Sequence, residues 1–278
     1  MDESYIPAQH KSLGSAFPAV MVTGWTASGK TTLVEHLART GLRRITASKL
    51  LIKRLGETQS TKMERLLSWL ASDLPTLREG EADRLTDLAV LRRLTTRDEG
   101  CVVESAGSVS LLLPPYNEAL LVRLDATPQV RTERLGRLLT GRITAVEAAL
   151  IVERKDAATA HACQQAWGLN LNDATYLHRY DVIVGCPDER TCANPQLCRS
   201  ATSEVVIASY QVYRTLLGAD RHATAIAVDR LNETAERLSP WVYRLGPSLT
   251  APDPRQDWTS RMAHHDFDID VPRRGASC

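Results

Sequence analysis

Residues 24–31 read Gly-Trp-Thr-Ala-Ser-Gly-Lys-Thr. It fits the pattern G-x-x-x-x-G-K-[ST], in which the glycines allow a tight loop whose backbone N–H groups surround a phosphate. The apolar run 17–24 predicts a buried strand, and leucines at helical spacing predict a helix over 31–40. A strand, a glycine loop and a helix in this order predict a phosphate-binding loop at the N-terminus of the helix.

Short apolar segments recur along the chain and alternate with helical patterns. Further strands are predicted over 100–105, 119–125 and 180–185. Apolar residues at helical spacing cover 62–70, 82–94, 128–139 and 144–166. This alternation predicts an α/β fold with a doubly wound parallel sheet.

The ends of the chain differ from this central part. Residues 1–16 are predicted as an N-terminal arm and 17–217 as the main domain, with 186–199 rich in turn residues and a helix over 204–217. A C-terminal helical extension is predicted over 218–246, with an amphipathic helix over 223–238. The polar, proline-containing tail 247–278 is predicted to be flexible.

Charge and hydropathy exclude several classes of partner. The chain of 278 residues has 34 Lys and Arg against 33 Asp and Glu, so its net charge of +1 does not favour nucleic acid as a partner. The start of the sequence lacks the pattern of a signal peptide, and no stretch approaches the roughly 18 apolar residues of a membrane span. We therefore expect a soluble, cytoplasmic protein without a membrane partner.

Several segments beyond the loop resemble the P-loop nucleoside monophosphate kinases, and among them the cytidylate-kinase-like proteins. The segment 41–49 resembles the second strand of that family and the start of its acceptor-binding helix. The segments 121–134, 143–156, 167–170 and 180–184 resemble its lid and its last strand, in the same order. The resemblance covers about residues 18–217 and implies a P-loop kinase fold with a helical lid near 131–160.

The resemblance implies ATP and Mg²⁺ as cofactors. Lys30 is expected on the β- and γ-phosphates, and the Thr31 hydroxyl on Mg²⁺. The residues expected to bind the nucleotide are Gly24, Ala27, Ser28, Gly29, Lys30, Thr31 and Thr32. The lid arginines expected to contact the transferred phosphoryl group are Arg131, Arg134 and Arg154. The alternative for these arginines is a solvated basic helix face.

Glu104 follows a predicted strand at the edge of the sheet where ligands bind. A carboxylate there would hold Mg²⁺ or accept a proton from the acceptor. The alternative is that it caps the following turn. The family contacts its acceptor nucleotide with an arginine in the next loop, but this chain has none between Glu104 and Pro115.

Two other arginine positions of the family correspond to Ile52 and Ala162. Charge-assisted contacts to an acceptor phosphate are therefore missing, unless Lys49, Lys53 or Arg54 replaces them. These departures predict an acceptor other than a nucleoside monophosphate. We expect a kinase that phosphorylates a small hydroxyl-bearing metabolite. The alternatives are a cytidylate or related kinase, and a nucleotide-dependent switch or ATPase that acts through a protein partner.

Three cysteines follow the last predicted strand. Cys186, Cys192 and Cys198 are spaced C-x5-C-x5-C, which differs from the usual C-x2-C pattern of zinc sites. One hypothesis is a zinc or iron–sulfur site that takes a further ligand from elsewhere. The other is a set of loop thiols, two of which could form a disulfide on oxidation.

Overall fold

The computed structural model describes residues 19–54, 61–67, 70, 80–95, 99–113, 119–185, 195–217, 221–238 and 242–245. The first half contains β1 (Ala19–Thr23), α1 (Lys30–Ala38), β2 (Arg43–Thr46), α2 (Ala47–Arg54), α3 (Lys62–Leu67), α4 (Gly80–Thr95), β3 (Cys101–Glu104) and α5 (Ser108–Leu112). The second half contains β4 (Ala119–Asp125), α6 (Pro128–Leu138), α7 (Ala145–Trp167), a 3-10 helix (Ala174–Arg179), β5 (Val182–Gly185), α8 (Pro195–Leu217), α9 (Arg221–Leu238) and β6 (Val242–Leu245).

The sheet has the strand order β2-β3-β1-β4-β5-β6. The first five strands are parallel, and β6 pairs with β5 in the antiparallel direction. The parallel order 2-3-1-4-5, with the glycine loop between β1 and α1, is that of a P-loop kinase fold. The predicted doubly wound α/β architecture is confirmed.

Alternate residues of the strands face two separate cores, because successive side chains of a strand point to opposite faces of the sheet. Val20 and Val22 belong to a core formed with α1, α8 and α9. Ala19 and Met21 face the other side, where α2, α4 and α5 supply the apolar partners. All four residues are fully buried, so β1 is the centre of both cores.

Two helices make the region predicted as a lid. Thr127 caps α6, where Pro128 occupies the first turn, and Thr144 and Glu147 form a capping box at the start of α7. The two helices pack on each other through a buried cluster that includes Leu135 and Ile151, and Ala27 of the glycine loop lies against the same cluster. The lid helices are therefore packed directly onto the loop.

Two segments near the C-terminus differ in part from the prediction. The segment 186–199 was expected to be rich in turns, but α8 already begins at Pro195. The helix predicted over 223–238 agrees with α9, which ends at Leu238. The rest of the predicted helical extension needs correction, because Val242–Leu245 forms a strand that pairs with the edge of β5. The arm 1–16 and the tail 247–278 lie outside the described residues. No helix in the described ranges is long and apolar enough to cross a membrane.

Candidate active site

The loop between β1 and α1 has the backbone that its glycines predict. Gly24 has a φ of +143°, and a Cβ built on it would stand 2.5 Å from the Leu124 carbonyl oxygen, so only glycine fits. Gly29 has a φ of +103° and precedes the first residue of α1. Ala27 also has a positive φ, of 59°. The chain therefore turns tightly around the N-terminus of α1, where backbone N–H groups attract phosphate.

Lys30 begins α1 and folds back over the loop. Its Nζ donates hydrogen bonds to the carbonyl oxygens of Gly24 (2.5 Å) and Trp25 (2.6 Å). Burial is the main cause that lowers the pKa of Lys30 to about 8, together with the positive charge of Lys155 and against the opposing effect of Glu104. The ammonium therefore lies in a poorly hydrated position, where a phosphate would be a strong partner.

Thr31 and Glu104 come together at the carboxyl ends of β1 and β3. The Thr31 hydroxyl donates a hydrogen bond of 2.6 Å to Oε1 of Glu104. Oε2 of the same carboxylate accepts a hydrogen bond of 2.8 Å from Arg44 on β2. A hydroxyl beside a carboxylate is a set of oxygen donors that suits Mg²⁺. These two side chains fit the ion that the loop motif implies.

The three lid arginines occupy different positions. Arg131 is 6% exposed and forms an ion pair with Asp156, and it also donates to the carbonyl oxygens of Ala126 and Thr26. Its guanidinium thus binds groups of the protein itself, whereas a phosphate was the expected partner. Arg154 donates to the Leu70 carbonyl oxygen at 3.0 Å. A phosphate contact by either arginine would require it to exchange these partners, and both roles stay predictions.

Arg134 lies against the glycine loop. Its Nη1 donates a hydrogen bond of 3.2 Å to the Ser28 carbonyl oxygen and stands 3.8 Å from the position of a Cβ on Gly29. Of the three predicted lid arginines, it contacts the residues next to Lys30. Its guanidinium therefore lies at the part of the loop that precedes Lys30, and a phosphate contact by Arg134 stays a prediction.

Asp156 is a site residue that the sequence did not single out. Its Oδ1 accepts a hydrogen bond of 3.0 Å from the backbone N–H of Thr26, and its Oδ2 pairs with Arg131. One carboxylate thus joins α7, α6 and the glycine loop. It lies 25 residues from Arg131 and 130 from Thr26, so only the packing of the two lid helices could reveal the contact.

Two further residues were predicted to bind the nucleotide, Ser28 and Thr32. Ser28 is buried in the loop, and Thr32 is exposed on the first turn of α1. Trp25 of the glycine loop packs in an apolar cluster with Leu111, Leu171 and Tyr176. The described residues contain no group of three or more His, Cys, Asp or Glu side chains placed to hold a metal ion. Cys186 and Cys192, and the side chain of Cys198, lie outside the description, so the cysteine hypotheses stay predictions.

The known structures that resemble this chain cover about two thirds of it, but their sequences are only distantly similar. No family model and no curated protein matches the chain. Among solved structures, it is similar to shikimate kinase from Bacteroides thetaiotaomicron (18% identity, 68% of this chain and 98% of that chain, TM-score 0.38). It is also similar to an uncharacterized protein from Eubacterium ventriosum (11%, 68% and 96%, 0.44) and to dephospho-CoA kinase from Campylobacter jejuni (14%, 69% and 97%, 0.35). At these identities and TM-scores, the fold assignment rests on the strand order and the loop.

Proposed function

We propose that this protein is an ATP- and Mg²⁺-dependent phosphotransferase that moves the γ-phosphoryl group to a hydroxyl of a small metabolite. The observation that carries the proposal is that Lys30 folds back over the glycine loop while the next residue, Thr31, contacts Glu104 at the end of β3. A desolvated cation beside a pair of oxygen ligands is what phosphoryl transfer requires.

In the proposed reaction, the acceptor oxygen forms a bond to the γ-phosphorus, and the bond from that phosphorus to the bridging oxygen breaks. ADP leaves with the electron pair of that bond, and the hydroxyl proton is released to water. Lys30 would neutralise charge on the β- and γ-phosphates, and Arg134 would approach the same group from α6. Mg²⁺, when bound, supplies further charge neutralisation at the phosphate oxygens.

Thr31 would bind that ion directly, and Glu104 would bind it either directly or through a water molecule. We assign Glu104 to the ion because its carboxylate touches the hydroxyl of the other expected ligand. The alternative role of Glu104 as a general base stays a prediction. Catalysis would then consist of positioning and charge neutralisation, which are the main sources of rate in this chemistry.

The test is phosphoryl transfer from γ-labelled ATP to a panel of nucleosides, nucleotides, sugars, amino acids and hydroxy acids, with the Lys30→Ala variant in parallel. We expect transfer to one class of acceptor and a loss of at least about 100-fold in the variant, as is typical for such electrostatic groups. Arg230→Ala is a suitable control, because Arg230 is exposed on α9. Activity of Lys30→Ala within about threefold of the wild type would overturn the proposal.

The acceptor arm of this panel separates the alternatives. CMP, dCMP and UMP are expected to be poor acceptors, because Ile52, Ala162 and the loop after β3 lack the arginines that hold an acceptor phosphate in cytidylate kinases. A kcat/KM for CMP of about 10⁵ M⁻¹s⁻¹ or more would instead support a cytidylate kinase. Hydrolysis of ATP without phosphorylation of any acceptor would support a nucleotide switch or ATPase.

A further inference from the structure

A small cavity lies beside the glycine loop, on the face of the sheet that carries α5. Its empty space is about 280 Å³, a figure that includes the open solvent at its mouth. Its walls are Gly24, Trp25, Ala106, Gly107, Leu111, Arg123, Leu171, Tyr176 and Tyr180. Its enclosed end admits only a water-sized group, so a ligand would place one polar group there and extend outward through the mouth.

Arg123 is the charged residue among these walls. It lies on the central strand β4, opposite Thr23 of β1. Its Nε is buried without a hydrogen-bond partner, and no carboxylate among the described residues pairs with its guanidinium. Its Cζ lies 5.7 Å from the centroid of the Tyr180 ring. Arg123 is half-buried, and a guanidinium that is partly removed from water without a counter-charge favours an anion as its ligand.

The walls around Arg123 are held by hydrogen bonds. The hydroxyls of Tyr180 and Ser110 are 3.0 Å apart, and Ser110 donates to the Gly107 carbonyl oxygen at 2.5 Å. Arg179 fixes α5 by donating to the carbonyl oxygens of Leu111 and Leu113. Because these groups are already in place, a ligand would bind without a large cost in ordering the site.

The cavity also touches the proposed reaction centre. Gly24 and Trp25 form part of its wall, and their carbonyl oxygens accept the two hydrogen bonds of Lys30. A molecule held by Arg123 would therefore lie next to the lysine that faces the transferred phosphoryl group. This placement suits the acceptor and connects the cavity with catalysis.

We infer that Arg123 binds a carboxylate of the acceptor, so that the substrate is a small hydroxy acid; this inference rests on the proposed function. A single guanidinium matches one carboxylate in charge and can bind it through two parallel hydrogen bonds. A phosphate monoester would bring about two negative charges against this one cation. A neutral polyol would leave the guanidinium without a counter-charge.

The first experiment measures how fast Arg123 is chemically labelled, and it does not depend on catalysis. Native protein with ADP and Mg²⁺ is labelled with phenylglyoxal, which modifies arginine, and the peptide that contains Arg123 is quantified by mass spectrometry. The competitors are glycerate, lactate and quinate, with glycerol and glycerol phosphate for comparison. We expect one or more of the acids to slow labelling of Arg123 at least threefold, while labelling of Arg230 stays unchanged. If none of the acids protects Arg123, the inference is overturned.

The second experiment compares Arg123→Met and Arg123→Lys with the control Arg230→Met. For the best acid of the panel, we expect Arg123→Met to raise the acceptor KM at least about tenfold while the KM for ATP changes less than twofold. Arg123→Lys should recover part of the loss, because it restores the charge without the paired N–H groups. The melting temperature of Arg123→Met should equal or exceed that of the wild type, since the variant removes an unpaired cation from the fold.

These readouts separate the inference from the proposed function. Protection of Arg123 by an acid without any phosphoryl transfer would support the carboxylate site and contradict the kinase proposal. Transfer that prefers a neutral or phosphorylated acceptor, with equal KM values in Arg123→Met and the wild type, would support the kinase and overturn the carboxylate site.

Discussion

The Thr31 hydroxyl and the Glu104 carboxylate are joined by a hydrogen bond of 2.6 Å, although 73 residues separate them in the chain. The contact exists because β3 lies beside β1 in the sheet, with Val22 opposite Glu104. The expected magnesium ligands are therefore assembled by the order of the strands. A change in either residue should affect the metal more than the fold.

The Glu104→Gln variant tests this assembly. The amide keeps the size of the side chain but loses its charge, so we expect the apparent affinity for Mg²⁺ in the presence of ATP to fall about 10- to 100-fold, as for other changes around metal sites. Titration of activity with Mg²⁺ measures the effect. Arg44→Met is the matched control, because it removes the other partner of Glu104 and leaves the carboxylate in place. An unchanged Mg²⁺ titration for Glu104→Gln would contradict the assignment.

The lowered pKa of Lys30, about 8, predicts a pH dependence of nucleotide binding. Bound phosphates favour the charged lysine, so the free protein must take up a proton at pH values above its own pKa. The affinity for ATP should therefore decline as the pH rises above about 8, by up to about tenfold per pH unit. Titration with a fluorescent nucleotide between pH 6.5 and 9.5 measures the slope. Lys30→Arg should show a flat profile, because arginine keeps its charge.

The affinity for ATP should fall as the pH rises, but the free energy of unfolding of the nucleotide-free protein should rise. The pKa of Lys30 is lower in the folded chain than its ordinary value of 10.5, so between about pH 8 and 10.5 the unfolded chain holds more protons. The free energy of unfolding therefore gains a term that rises with pH across this window. Lys30→Met should lack this term, and denaturant titrations at several pH values compare the two proteins. Parallel pH profiles for both would show that Lys30 has an ordinary pKa.

The buried pair of Arg131 and Asp156 is expected to matter for stability. Loss of one partner leaves a charge inside the fold without compensation, which costs about 3 kcal/mol. Arg131→Met and Asp156→Asn should therefore each lower the free energy of unfolding by about this amount. Arg131→Met combined with Asp156→Asn should lose less than the sum of the single changes, as measured by denaturant unfolding. Additive losses would show that the two groups do not interact.

Gly24 and Gly141 form a matched pair of positions with positive φ. A Cβ at Gly24 would collide with the Leu124 carbonyl oxygen at 2.5 Å, whereas nothing lies within 4 Å of one at Gly141, where φ is +76°. Gly24→Ala should therefore cost at least about 2–3 kcal/mol and weaken nucleotide binding, and Gly141→Ala only about 1 kcal/mol. Thermal unfolding and ATP titration measure both effects. Equal behaviour of the two variants would contradict the close packing of Gly24 against β4.

The sequence predicted the parts of the site that are local in the chain. The pattern of residues 24–31 was sufficient for Lys30, because the spacing of the loop itself fixes the position of the lysine. The partners of Arg131 and Glu104 could not be predicted, because they depend on which helices and strands become neighbours. Arg123 did leave a signal, since an arginine in the apolar strand Ala-Leu-Leu-Val-Arg-Leu-Asp is unusual, but only the sheet shows that it faces a cavity.

The strand β6 was missed for a similar reason. Val242–Leu245 is only four residues long, and its strand conformation comes from pairing with β5. A long-range partner of this kind has no local pattern that distinguishes it from the end of a helix. The acceptor is also beyond prediction from the loop motif, because that motif concerns the nucleotide alone.

The antiparallel pairing of β6 has a consequence for self-association. β5 consists of Val182, Ile183, Val184 and Gly185, all of them buried. Without β6, this strand would present its backbone N–H and C=O groups and a row of valine and isoleucine at the border of the sheet, where another chain could pair with it. The four residues of β6 thus cover the edge of β5, which would otherwise be open to pairing with another chain. Proteolytic loss of the C-terminal segment from Val242 onward would expose β5 as a template on which another chain could pair.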